Sequence, residues 1–175
     1  MRPWEEPWHP VPRASGIAAT VGITLLALWM ATADQGWLVI LDGANLVFHE
    51  AGHPIFGIFG ATLGLYGGTL GQLVFPAVVA GTGFVRRHVV TAAVGIAWFG
   101  QNLVNIARYA DDARAQELPL VGGGEHDWTA ILMRWRALSS DHQVARVIRI
   151  VGYGLVLGAA AWSAWRTWRD RDENP

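Results

Sequence analysis

The sequence predicts an all-α, multi-pass α-helical membrane protein with four or five transmembrane spans, and three observations predict it. Of 175 residues, 52% are hydrophobic and only 15% carry charge. The charges are also placed apart: Ala14 to Ala33, Ala51 to Val85, Val89 to Ala107 and Ile150 to Trp165 contain no Asp, Glu, Lys or Arg. Crossing a bilayer core takes roughly 20 apolar residues of helix, which is the scale of these runs. Finally, tryptophans gather where the last run ends, Trp162, Trp165 and Trp168 alternating with Arg166 and Arg169, an aromatic and basic anchor of the kind found at a membrane interface. A formal net charge of −1 and the absence of a basic stripe exclude a nucleic-acid partner. With no cysteine, disulfides, iron–sulfur clusters and thiol catalysis are excluded together.

Residues 1–175 read as a single integral-membrane domain whose partner is the lipid bilayer. Residues 1–13 hold four prolines and two tryptophans, so they read as an irregular arm suited to the headgroup region. Ile17 to Ala33 is the first span, an uncleaved helix rather than a signal peptide, because its leader is acidic and proline-rich. The second runs from Trp37 to Gly60. A glycine-rich stretch follows, with Gly60, Gly64 and Gly68 spaced four apart. Two readings of it stand side by side: a close-packing stripe on one helix, or a short re-entrant hairpin turning at Gly67-Gly68. Val89 to Tyr109 is a further span with polar last turns. Residues 108–146 form a polar loop containing the triple glycine 122–124 and an interfacial helix from His126 to Leu138, whose Trp128, Ile131, Leu132 and Trp135 recur at helical spacing. The last span begins at Ile148. Arginines near the span ends are too evenly divided to orient the chain.

His49-Glu50-Ala51-Gly52-His53 is an HExxH sequence within the second span. Residues four apart on a helix lie one above the other, so the two imidazoles can bind one metal ion while Glu50 reaches a water on it. Zinc suits two imidazoles and keeps a position open for water when it works. An acid at bilayer depth costs about 2.5 to 3.5 kcal/mol, which a bound dication and a wet cavity would offset. Asp42, Asn45, His49, His53 and Gly60 share one helical face; a polar face packed on Gln101 and Asn105 without metal is the plainer alternative. Two histidines need a third protein ligand. His126 is the first choice and Asp127 the second, both at the start of the interfacial helix, where Asp127 is equally suited to be the N-cap. Asp42 lies about two turns before His49 and reads as a polar neighbour. Asn102 or Asn105 is a candidate donor to a substrate, with interhelical packing the simpler role. Arg108 and Asp112 are spaced to pair.

An HExxH inside a span, followed by a glycine-rich stretch and further spans, resembles the site-2 protease family of intramembrane zinc metallopeptidases, and is most similar to its small bacterial members. The resemblance covers Leu41 to Trp135. Its firm part is His49 to His53; a softer part runs from Tyr109-Ala-Asp-Asp112-Ala-Arg114 through Leu118-Pro-Leu to Gly-Glu-His126-Asp127-Trp128. The family's Leu-Asp-Gly lies on a later helix, whereas Leu41-Asp42-Gly43 here precedes the HExxH. The prenyl-protein-processing membrane proteases match less well, because their downstream Glu-x-x-x-Asp is absent. The resemblance implies zinc ligands at His49 and His53, Glu50 as general base, a membrane protein or peptide as substrate, hydrolysis of a peptide bond, and a bacterial cytoplasmic membrane as location. The alternatives are a non-catalytic membrane protein with a structural metal site, or an inactive relative that binds partner helices. A metal transporter ranks last, because few other intramembrane acids line a route.

Overall fold

The computed structural model describes residues 6–33, 37–121 and 125–172. Among them every regular element is helical: α1 (Arg13–Thr32), α2 (Val39–Gly57), α3 (Ala61–Val85), α4 (Val89–Asp111), α5 (Asp127–Arg134) and α6 (Asp141–Arg169), with short 3₁₀ turns at Leu138–Ser140 and Asp170–Asp172. The chain is an all-α, multi-pass membrane protein. Among the described residues four helices are long and apolar enough to cross a bilayer: α1, α3, α4 and α6 with its flanking turns. The fifth long helix, α2, carries Asp42, Glu50 and two histidines and is not among them.

The glycine-rich hairpin is overturned. Residues 61–85 form one continuous helix, and Gly67-Gly68 lies inside it. In the absence of competing water, an unbroken helix keeps each backbone amide bonded, and two adjacent glycines do not interrupt it. The chain turns instead at Gly60, whose φ of +115° suits a residue without Cβ. The turn from α3 to α4 ends on an arginine: Arg87 adopts φ +55°, its N–H bonds to Phe84 O and that of His88 to Gly83 O, a Schellman arrangement.

The residue contacts divide the chain into two compact units, one comprising Met1–Ala33, Val74–Gln101 and Gly152–Pro175, the other Asp34–Leu73 and Asn102–Val151. The first is held by small residues and by its arm. Cβ atoms added at Gly83 or Gly95 would strike the backbone of Ala92 or Ala80, so α3 and α4 meet there at backbone distance. Residues 6–12 of the arm are not helical. Their course is fixed by Val11 N–H donating to Asp170 (3.0 Å), by His9 N–H donating to Arg87 O (3.1 Å), and by the Trp8 ring edge-on to Phe84 and Trp162. Hydroxyls within α1 bond to carbonyls one turn back, Thr24 to Thr20 and Thr32 to Leu28, which satisfies them without water.

The second unit contains α2, the first half of α3, the last turns of α4, α5 and the start of α6. Its core is Ile106, Ala110, Ala113, Trp128, Ile131, Leu132 and Ala145. The amphipathic helix anticipated for His126 to Leu138 is shorter, ending at Arg134, and buries its apolar face in this protein core. It too stops at an arginine, Arg136 with φ +54°, under paired bonds from Arg136 N–H to Met133 O and from Ala137 N–H to Leu132 O. Trp135 stacks on Tyr66 and donates its indole N–H to the Tyr66 hydroxyl (2.9 Å). The polar segment is therefore mostly helix and tight turn. Its triple glycine lies outside the described residues.

Candidate metal centre

Helix α2 is amphipathic in reverse. Asp42, Asn45, His49 and Gly52 are buried at helical spacing, while Val39, Ile40, Val47 and Ile55 are exposed. The helix is held by close packing and polar pairing on its buried face. Asp42 reaches back to accept the N–H of Leu38 at 2.6 Å, so it caps its own helix. The Asn102 amide approaches the Asn45 oxygen at 3.4 Å. Contact with α3 is made backbone to backbone: a Cβ on Gly52, Gly67 or Gly71 would overlap the facing chain. That approach has a chemical result at Gly68, where a Cβ would stand 2.6 Å from His53 Nε2 and in contact with His49 Nε2. The missing side chain is the space into which both ring nitrogens point.

The third group in that space is Asp127. Its Oδ2 lies 3.0 Å from His49 Nε2 and 3.2 Å from His53 Nε2. Among the described residues, His49, His53 and Asp127 are the only cluster of three metal-ligating side chains, with donor atoms all within 4.8 Å of one another. His53 Nδ1 lies 2.8 Å from Gly64 O. A carbonyl only accepts, so Nδ1 carries the proton and Nε2 of the neutral ring presents a lone pair. Facing that lone pair at 3.2 Å is a carboxylate oxygen, also an acceptor. Two acceptors at that distance repel unless a cation or a proton lies between them. Two imidazoles, one carboxylate and an open side match the donor set that zinc takes.

The structure brings His49, His53, Glu50 and Asp127 to one cavity and places His126 elsewhere. His126 is the N-cap of α5: its Nδ1 accepts the Thr129 N–H at 3.3 Å, and its Nε2 faces Asp112 Oδ2 at 3.3 Å without hydrogen-bond geometry. His126, the first choice to join the histidine pair, is the cap, and the carboxylate beside the pair belongs to Asp127. An imidazole can cap as an acceptor, and in capping it leaves Asp127, the first residue of the helix, to project toward α2. Burial holds His126 below the ordinary imidazole range, against the opposing pull of Asp112, which suits a neutral, accepting ring. Asp112 accepts the N–H groups of Glu117 (2.9 Å) and Leu118 (3.1 Å) and so fixes the start of the segment that follows.

Tyr109, which spacing arguments passed over, packs against both His49 (5.8 Å between rings) and His126 (4.1 Å), and its hydroxyl accepts the Asp127 N–H at 3.3 Å. Its position four residues after Asn105, on the polar face of α4, was the available signal. The cavity measures about 830 Å³ and is lined by His49, Glu50, His53, Tyr109 and Asp127 together with Trp37, Leu46, Gln72, Asn105, Arg108 and Leu118 to Val121. Arg108 stacks on Trp37 at 4.9 Å. Asn105 lines the cavity and Asn102 does not. Glu50 also faces the cavity, and among the described residues its carboxylate makes no hydrogen bond or ion pair. No family model, curated protein or solved structure matches the chain.

Proposed function

We propose that the chain is a membrane-embedded zinc metalloprotease of the site-2 protease type, in a bacterial cytoplasmic membrane, hydrolysing a peptide bond of a membrane protein substrate. One observation carries this reading: two imidazole nitrogens and a carboxylate oxygen converge on a space kept clear by Gly68, beside an acid with no structural partner. Zinc held by His49, His53 and Asp127 would supply Lewis acidity and make water a nucleophile near neutral pH. Glu50 takes a proton from the attacking water and returns it to the leaving amine. The bond from His53 Nδ1–H to Gly64 O keeps that ring in the tautomer a ligand requires. Tyr109 holds the backbone of Asp127 so that its carboxylate stays with the histidines. Trp37, Leu46 and Leu118 to Leu120 give the cavity an apolar wall fitted to the side chains of a membrane segment.

A purely structural metal site would use the same three ligands and have no need of Glu50 in the cavity. The discriminating experiment is metal content per chain, by elemental mass spectrometry, joined to cleavage of membrane-helix peptides. Near one zinc is expected in the wild type, Glu50→Gln and His126→Ala, and none in His49→Ala or Asp127→Ala. Hydrolysis is expected to vanish in Glu50→Gln. Zinc-free wild-type protein after reconstitution would refute the reading; zinc with equal hydrolysis in wild type and Glu50→Gln would refute its catalytic half.

A further inference from the structure

Gln72 stands one turn beyond Gly68 on α3 and is only 2% exposed, yet it lines the cavity. Among the described residues its carboxamide makes no hydrogen bond, and its polar atoms keep access to the cavity. The other buried amides differ: Asn45, Gln101 and Asn102 all have partners. A carboxamide that faces the cavity with no protein partner keeps its donor and acceptor available to a ligand, whereas a position that needed only bulk would be served by leucine. The location is informative. Gly67 faces Gly52 and Gly71 faces Phe48, so α3 runs antiparallel to α2, and Gln72 lies toward the Asp42 side of the histidine pair, about 6 Å along α3 from Gly68.

We propose that Gln72 is a substrate-binding residue that hydrogen-bonds the backbone of the peptide in the cavity. A carboxamide presents one donor face and one acceptor, the complement of a peptide group's C=O and N–H. A segment unwound for cleavage has lost its internal hydrogen bonds, and in a cavity with apolar walls it needs such partners. The inference rests on the protease reading. It adds the class of ligand recognised, an extended peptide backbone, and the group that recognises it.

The test uses two probes that would reach the site by zinc chelation whatever their sequence: a leucine–alanine tripeptide hydroxamate and acetohydroxamate, which has no peptide backbone. Purified wild type and Gln72→Leu are compared, with Gln72→Asn as a second variant, by calorimetric binding and by thermal melting of the zinc-loaded, ligand-free protein. Gln72→Leu is expected to bind the tripeptide hydroxamate on the order of 10-fold more weakly, to bind acetohydroxamate unchanged, and to melt at a higher temperature than wild type. Gln72→Asn is expected to weaken the tripeptide without the gain in melting temperature. Unchanged tripeptide affinity in Gln72→Leu, an equal loss for both probes, or a lower melting temperature would each overturn the proposal. Failure of wild type to bind zinc or either hydroxamate would mark a different failure, that of the protease reading beneath it.

Discussion

Two pairs of imidazoles stand at nearly the same separation in this molecule. His9 and His88, in the first unit, have ring centres 4.9 Å apart at 83°; His49 and His53, in the second, are 5.0 Å apart at 76°. The resemblance ends with the rings. His9 belongs to the arm, where its backbone is tied to Arg87 and both side chains are exposed. The second pair has a carboxylate within 3.2 Å of both nitrogens, a carbonyl that fixes one tautomer, and a glycine where any side chain would intrude. Proximity of two histidines is therefore a weak sign of a metal site. The informative features are the third donor and the groups that orient the rings.

The contrast breaks most sharply under alanine substitution. His49→Ala and His53→Ala are expected to abolish stoichiometric zinc, whereas His9→Ala and His88→Ala keep it in full; equal loss from both pairs would erase the distinction. Next in size is Gly68→Ala, expected to weaken zinc by roughly 10- to 100-fold with unchanged helix content, as competition with a chelator would read. Its control is Gly158→Ala on α6, where no atom lies within 4 Å of the added carbon and about 0.5 to 1 kcal/mol of stabilisation is expected. Smaller still is His126→Ala, which removes a cap worth about 1 kcal/mol while leaving zinc bound, measurable as a lower melting temperature at full metal content. The smallest effect is on pH dependence. Burial lowers the His126 pKa, so the unfolded chain takes up that proton first as pH falls through about 6.5. The stability this neutral ring contributes is present above that range and declines below it, a slope His126→Ala should remove.

Much of the fold was legible because charge is excluded from lipid: apolar runs mark α1, α4 and α6, and one longer run covers the end of α2 together with all of α3. The HExxH was legible because its spacing is local. What the sequence left open depended on partners distant along the chain. Gly67-Gly68 reads as a turn or as a helix contact until Gly52 is known to face it. Asp127 and His126 offer two acceptors and two donor sets within one residue, and which one caps α5 is decided by where Tyr109 and Asp112 stand. Gln72 gave no sign at all, since its setting in an apolar run does not say which wall it joins.

The distance between the HExxH and its third donor sets an order of events in synthesis. His49 and Asp127 are 78 residues apart. A ribosome adds roughly 5 to 20 residues per second, so the histidine pair exists for several seconds or more before its carboxylate is made. During that interval a metal that met the imidazoles would find two donors and no third. Assembly of the proposed centre would thus wait for α5, and a chain interrupted before Asp127 would carry the recognisable motif with only two of its three donors.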